Sequence, residues 1–415
     1  MPHRTHKKAA SLPFSHTITL ALLLLLAIHT VPVASAPGVP DADSRVLEHL
    51  PSRASAPLAR ELRELRAAQA RDPENVDTAV RLARRYFDLA SAEGDPRYVG
   101  YAEAVIQPLS KRATPDASVL LIRALLRQYR HEFAPALADL DSVLKLEPQN
   151  TEAMLWQFAL HLVQADYERA KASCANAAPH ATRLSATACM AVIDSINGKS
   201  RDAYASLSAA MARHPTQDIE YRQWAMTRQG EMALRLGDRK LAEKHFKEAI
   251  ATGYTDGFVL AAYADLLLED KRHAEVIALL KRWVASDILL LRLAIAEDAA
   301  GMPEAANHRK ALAERFAAAA LRGDKLHQQE EARFELELQH DAARALVHAA
   351  DNWKRQREPR DALVLMQAAL AAGKPEAARP ALDWMSRTGY EEPRYRAFAK
   401  PLGGTPDGAA EKSVR

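Results

Sequence analysis

One small residue recurs down this chain at a nearly constant distance. Alanine stands at Ala102, Ala136, Ala170, Ala203, Ala242, Ala274, Ala306, Ala343 and Ala378, in steps of 34, 34, 33, 39, 32, 32, 37 and 35. A chain of 415 residues is too long for one compact core unless repetition extends that core. The neighbourhood of each alanine repeats too. From Gly230, twelve, sixteen and nineteen residues on, stand Ala242, Phe246 and Ala249. The same steps from Ala124 reach Ala136, Leu140 and Val143, and from Ala191 they reach Ala203, Leu207 and Ala210. From Phe158 they reach Ala170, Cys174 and Ala177. Two antiparallel helices joined by a tight turn need a small residue on each side of their closest crossing. A larger residue then fills the space above it, and a second small one admits the next helix. Turn residues fall between the helices, as in "LGDRK", "INGKS" and "AAGKPE", and Pro148 and Pro215 end second helices. Ala, Leu and Arg dominate, and alternating runs of Val, Ile and Thr are nearly absent, which favours an all-helical protein.

A period near 34 of helix–turn–helix units, over about residues 74–393, resembles the tetratricopeptide repeat (TPR) family. The resemblance implies an all-α fold, a right-handed α-solenoid of about nine hairpins over 74–400. The helix at 57–73 caps its N-terminal end, because a terminal repeat otherwise exposes its stacking face. The pattern is clearest at 117–150 and 223–256 and weaker from 257 onward. It departs from the family where Ala or Leu replaces the large aromatic early in the first helices. The stretch "SAEGDPRYVG" reads as a long turn, and the steps of 39 and 37 read as longer loops near 216–222 and 322–328.

The first 36 residues differ in kind. Arg4, Lys7 and Lys8 precede the apolar run "ITLALLLLLAI" (Ile18 to Ile28), and Ala34-Ser35-Ala36 has the small-residue pattern of a cleavage site. This matches a secretory signal peptide cut after Ala36. The run is shorter than the roughly 18 residues of a membrane span, so no stable anchor is expected after cleavage. Residues 37–56 read as a flexible lead-in and 401–415 as a disordered tail. With the three leader cations removed, 53 basic residues face 53 acidic ones, and no basic face for nucleic acid is implied. The leader and the Ala- and Arg-rich composition point to a periplasmic or secreted protein.

No HExxH, GxSxG or phosphate-loop motif occurs, and no cofactor or catalytic residue is expected. His131, His161, His245 and His273 stand singly on helices. Glu330-Glu331 and Glu335/Glu337 read as a solvated helix face near Arg333. Cys174 and Cys189 fall on adjacent helices of consecutive units. In an oxidising compartment they are either a disulfide or two small buried thiols. Trp156, Trp283, Trp353 and Trp384 read as core. Trp224, in "EYRQWAMTRQG", makes a stripe with Tyr221 and Arg228 at spacings of three and four.

In the TPR family the first helices line the concave face, so for Tyr221, Trp224 and Arg228 the resemblance sets partner binding beside the alternative reading, ordinary packing. The carboxylate clamp of some members is not evident. Leu121, Leu125, Leu155, Ala159, Ala188 and Val192 occupy comparable places and imply a more apolar groove. The expected function is an exported scaffold holding a protein or peptide partner in that groove. The alternatives are a carbohydrate-polymer or envelope-assembly factor, and an enzyme whose site is built from distant residues.

Overall fold

The computed structural model describes residues 57–404 apart from 255, 324 and 325. The signal peptide and lead-in expected over 1–56, and the tail beyond 404, lie outside the described residues. The chain divides into two units, Met1–Arg60 and Glu61–Arg415. Among the described residues only the first turn of helix α1 (Pro57–Arg71) belongs to the former, and every other element lies in the latter.

Every regular element among the described residues is helical, and the fold is a TPR-like α-solenoid. Nine hairpins follow α1. They are α2 (Val76–Glu93) with α3 (Arg97–Ser110), α4 (Ala117–Tyr129) with α5 (Phe133–Leu146), and α6 (Thr151–Val163) with α7 (Tyr167–Ala177). Next come α8 (Arg183–Ile196) with α9 (Ser200–Arg213), α10 (Ile219–Arg235) with α11 (Arg239–Ala251), and α12 (Gly257–Glu269) with α13 (His273–Leu280). The last are α14 (Asp287–Ala299) with α15 (Glu304–Leu321), α16 (Gln328–Glu337) with α17 (Ala342–Trp353), and α18 (Pro359–Ala371) with α19 (Arg379–Thr388). A short helix, α20 (Pro393–Ala399), closes the array. First helices of most successive hairpins pack on one another, as α2 on α4, α8 on α10 and α12 on α14. Second helices pack chiefly on their own partner and on the next first helix. The first helices therefore form the inner wall of the curve.

The turn "LGDRK" shows how one hairpin is made. Gly237 takes a left-handed φ of +78°, which lets the Asp238 N–H reach back to the Ala233 carbonyl at 2.9 Å. The Asp238 side chain then accepts from the Leu241 N–H at 2.9 Å and starts α11. The turn thus ends one helix of a long array. The same reach-back recurs where the left-handed residue is His131, Ala165 or Lys271. Close crossing explains Gly230: a β-carbon there would lie 2.5 Å from the Phe246 ring. Ala242, Phe246 and Ala249 are fully buried around it.

Three alanines of the sequence series are exposed, namely Ala274, Ala306 and Ala343. Their places are taken by the buried Val276, Ala305 and Ala345. The long turn expected at "SAEGDPRYVG" is mostly helix, since α2 runs to Glu93 and α3 begins at Arg97. The 39-residue step is accommodated mainly by α10, which is 17 residues long, rather than by a loop.

The C-terminal elements do not simply extend the row. The Trp384 Nε1–H donates to Tyr167 Oη at 2.8 Å, across 217 residues of sequence. The Ser200 N–H donates to the Glu391 carboxylate at 2.9 Å, and the Arg357 N–H donates to the Val163 carbonyl at 2.7 Å. One apolar core joins residues of α6–α9 to residues of α16–α20, with Trp384, Tyr390 and Tyr395 buried in it. The segment from Arg357 onward therefore lies against the central hairpins.

Candidate functional site

Asp218 caps α10 by accepting from the Tyr221 N–H at 3.0 Å, which fixes where the stripe on that helix begins. Tyr221 and Trp224 have ring centroids 5.4 Å apart. The Arg228 guanidinium lies 5.6 Å from the Trp224 ring and 4.7 Å from that of Phe258 on α12. Asp256 sets Phe258 by accepting from its N–H at 2.8 Å. Beyond Phe258, at 5.1 Å, stands the guanidinium of Arg360 on α18. These five residues form one ladder, a ring pair followed by cation, ring and cation, each rung half-buried. Burial pushes the Tyr221 phenol up to about 12, against a hydrogen bond with Ser185. No sequence pattern singles out Phe258 or Arg360. Phe258 opens the next hairpin, and Arg360 lies 132 residues beyond Arg228.

The ladder ends in a cavity of about 380 Å³ between the inner wall and the C-terminal segment. Six arginines line it: Arg228, Arg235, Arg292, Arg333, Arg360 and Arg394. The groove is therefore charged here, contrary to the apolar lining expected. Of the six apolar first-helix residues expected to line the groove, Val192 alone borders the cavity, while Leu125 and Ala188 are fully buried in the core. A first helix covers its apolar side against its own hairpin and its neighbours. The inner wall is left to whatever side chains project past that contact.

Arg292 and Arg333 converge on Asp265, at 2.7 and 2.8 Å. Burial pushes the Asp265 carboxyl up, but the two guanidiniums more than offset this and hold it well below the usual carboxylate range. Arg333 also donates to Glu337 at 2.6 Å. Arg235, 6% exposed, donates to Tyr390 Oη at 3.3 Å and to Ser195 Oγ at 2.9 Å. Tyr390 in turn donates to Glu392 at 2.8 Å, and burial pushes the Glu392 carboxyl up to about 7.

The face expected to be solvated on α16 is instead buried: Glu330, Glu331 and Glu335 are 7%, 9% and 5% exposed. Glu331 meets His348 at 2.9 Å and Glu335 meets Arg344 at 2.7 Å. Of the four tryptophans read as core, Trp384 and Trp353 are buried and Trp156 and Trp283 half-buried. Cys174 on α7 and Cys189 on α8 are joined as a disulfide in the structure, with Cα atoms 5.9 Å apart. Among the described residues no cluster of His, Cys, Asp or Glu has the arrangement of a metal site. No helix among them is long and apolar enough to cross a membrane.

No family model matches the sequence, and none of the curated proteins does. Solved structures resemble it in fold. The APC/C hetero-tetramer Cut9–Hcn1 is 13% identical, with a TM-score of 0.44, over 79% of this chain and 63% of that one. Yeast Tom70 is 13% identical, with a TM-score of 0.38, over 83% and 85% of the two chains. A tetratricopeptide repeat protein from Parabacteroides merdae is 13% identical, with a TM-score of 0.30, over 69% and 98%. This chain thus spans less than two thirds of the Cut9–Hcn1 chain it matches.

Proposed function

We propose that the protein is an exported scaffold that holds a protein or peptide partner on the inner wall of its central hairpins. The ladder Tyr221–Trp224–Arg228–Phe258–Arg360 carries this reading. Tyr, Trp and Arg are the residue types on which binding energy concentrates. Here they stack on one another across α10 and the starts of α12 and α18, so little side-chain freedom is lost when a partner arrives. The leader over residues 1–36 and the disulfide between Cys174 and Cys189 support passage to an oxidising compartment, for which we propose the periplasm. The test is affinity capture of the processed chain from its own cell envelope, alongside Trp224→Ala and Arg228→Ala. Capture of the same species should weaken in both variants while helix content holds. Equal capture by all three proteins would remove the ladder from the interface.

The charged cavity favours a second reading, in which a polar small molecule or polymer rather than a peptide enters the wall. The acceptor balance around that cavity decides what such a ligand must carry.

A further inference from the structure

The carboxylates around the cavity are already engaged. Asp265 accepts from two guanidiniums, Glu231 pairs with Arg228 at 2.9 Å, and Glu358 pairs with Arg360 at 2.7 Å. Glu392 accepts from Tyr390 and pairs with Arg394 at 2.8 Å. The unmet groups are of the opposite kind. The Nε atoms of Arg228, Arg292, Arg360 and Arg394 have no hydrogen-bond partner, and no buried carboxylate oxygen of a lining residue is left over. A guanidinium carries five N–H donors. Arg228 and Arg360 each use one terminal nitrogen on a carboxylate, and the Arg360 side chain keeps 41% of its surface accessible. Six carboxylates face the six arginines, so the lining is formally balanced and what it leaves over is N–H donors. Two cations from different elements also face one ring, Phe258, at 4.7 and 5.1 Å. An oxyanion is the ligand whose acceptors match N–H donors left over in this way.

We propose that this cavity is a binding site for a small oxyanion, a carboxylate or phosphate borne by a small molecule, held between Arg228 of the wall and Arg360 of the C-terminal segment beside Phe258. The volume fits such a ligand, since small-molecule sites begin at about 300 Å³. Because the two arginines belong to α10 and α18, the bound anion bridges the wall and the C-terminal segment and fastens one to the other. The site does not depend on the partner reading. Capture from the envelope tests the ladder, whereas the anion is tested on the purified protein alone.

The experiment is a melting-temperature titration of the processed chain with succinate and with inorganic phosphate, against sodium chloride at matched ionic strength and uncharged succinamide. One oxyanion should raise the melting temperature saturably, and the one that does identifies the source. Arg228→Gln and Arg360→Gln should each move the half-saturating concentration up by roughly tenfold, since each removes a charged hydrogen bond. Arg228→Lys, which keeps the charge, should recover part of the loss. Calorimetric titration of the unaltered chain gives the same answer if a variant folds poorly. The proposal is overturned if neither oxyanion exceeds chloride, if succinamide protects equally, or if the variants titrate like the parent.

Discussion

The hairpins α10–α11 and α16–α17 follow one plan with opposite chemistry. In the first, Gly230 lets the Phe246 ring lie against the helix backbone, and the crossing is sealed by apolar contact. In the second, the first helix buries Glu330, Glu331 and Glu335, and Arg333 reaches 68 residues back to Asp265. Close apolar packing fixes a hairpin locally and leaves a sequence period. Buried charge fixes a hairpin by distant partners and leaves none. Both hairpins thus rest on apolar cores, and the second adds buried charge, of which Arg333–Asp265 facing the cavity reaches a distant partner.

Truncating an anchor in each hairpin breaks the comparison most directly. Phe246→Ala should cost about 3–5 kcal/mol, as a fully buried aromatic is lost. Arg333→Gln should cost about 3 kcal/mol, because Asp265 and Glu337 lose a cation in a region of reduced solvent. Denaturation at two salt concentrations separates them: the first loss should be unaltered by salt, and the second should shrink as added ions replace the missing charge. Equal salt response would erase the distinction. Gly230→Ala should cost about 1–3 kcal/mol by overpacking against Phe246. Gly257→Ala, where a β-carbon meets nothing within 4 Å, should be near neutral.

The contrast between the hairpins also sets what is legible in the sequence. Ala102, Ala136, Ala170, Ala203 and Ala242 are buried where the spacing puts them. From 257 onward the spacing lands on exposed Ala274, Ala306 and Ala343, one or two residues from the buried positions, and returns to a buried one only at Ala378. Ala274 lies on α13, which has only eight residues, while Ala306 and Ala343 stand near the starts of α15 and α17, where the buried position is shifted along the helix. The stripe Tyr221–Trp224–Arg228 is legible because its spacing is helical. Its continuation through Phe258 to Arg360, and the docking of Trp384 on Tyr167, depend on contacts between distant segments that no local pattern records.

A smaller effect should appear on raising the pH. Burial pushes the Asp361 and Glu392 carboxyls up to about 7. Their unfolded values lie near 4, so the folded chain holds more protons and stability falls as pH rises through 7. Burial pushes His131 down to about 4, which has the reverse sign, but that contribution is complete once pH exceeds the ordinary histidine value near 6.5. Between pH 6.5 and 8 the unfolding free energy should therefore fall by roughly 1 kcal/mol per carboxyl, and the melting temperature with it. Asp361→Asn with Glu392→Gln should flatten the profile, and an unchanged slope in the double variant would show that neither carboxyl causes it. Smallest is a gain. Lys271 and His340 are exposed residues with φ of +58° and +55°, so replacing either with Gly should stabilise by about 0.5–1 kcal/mol in chemical denaturation.

Docking of the C-terminal segment on the central hairpins underlies both the cavity and the end of the ladder. A double-mutant cycle of Tyr167→Phe and Trp384→Phe, read by urea denaturation, tests it most directly. The hydrogen bond at 2.8 Å should appear as a coupling of about 0.5–1.5 kcal/mol. Additivity of the two substitutions within about 0.3 kcal/mol would mean that Trp384 does not sit on Tyr167, and that the inner wall is open where the structure shows it covered.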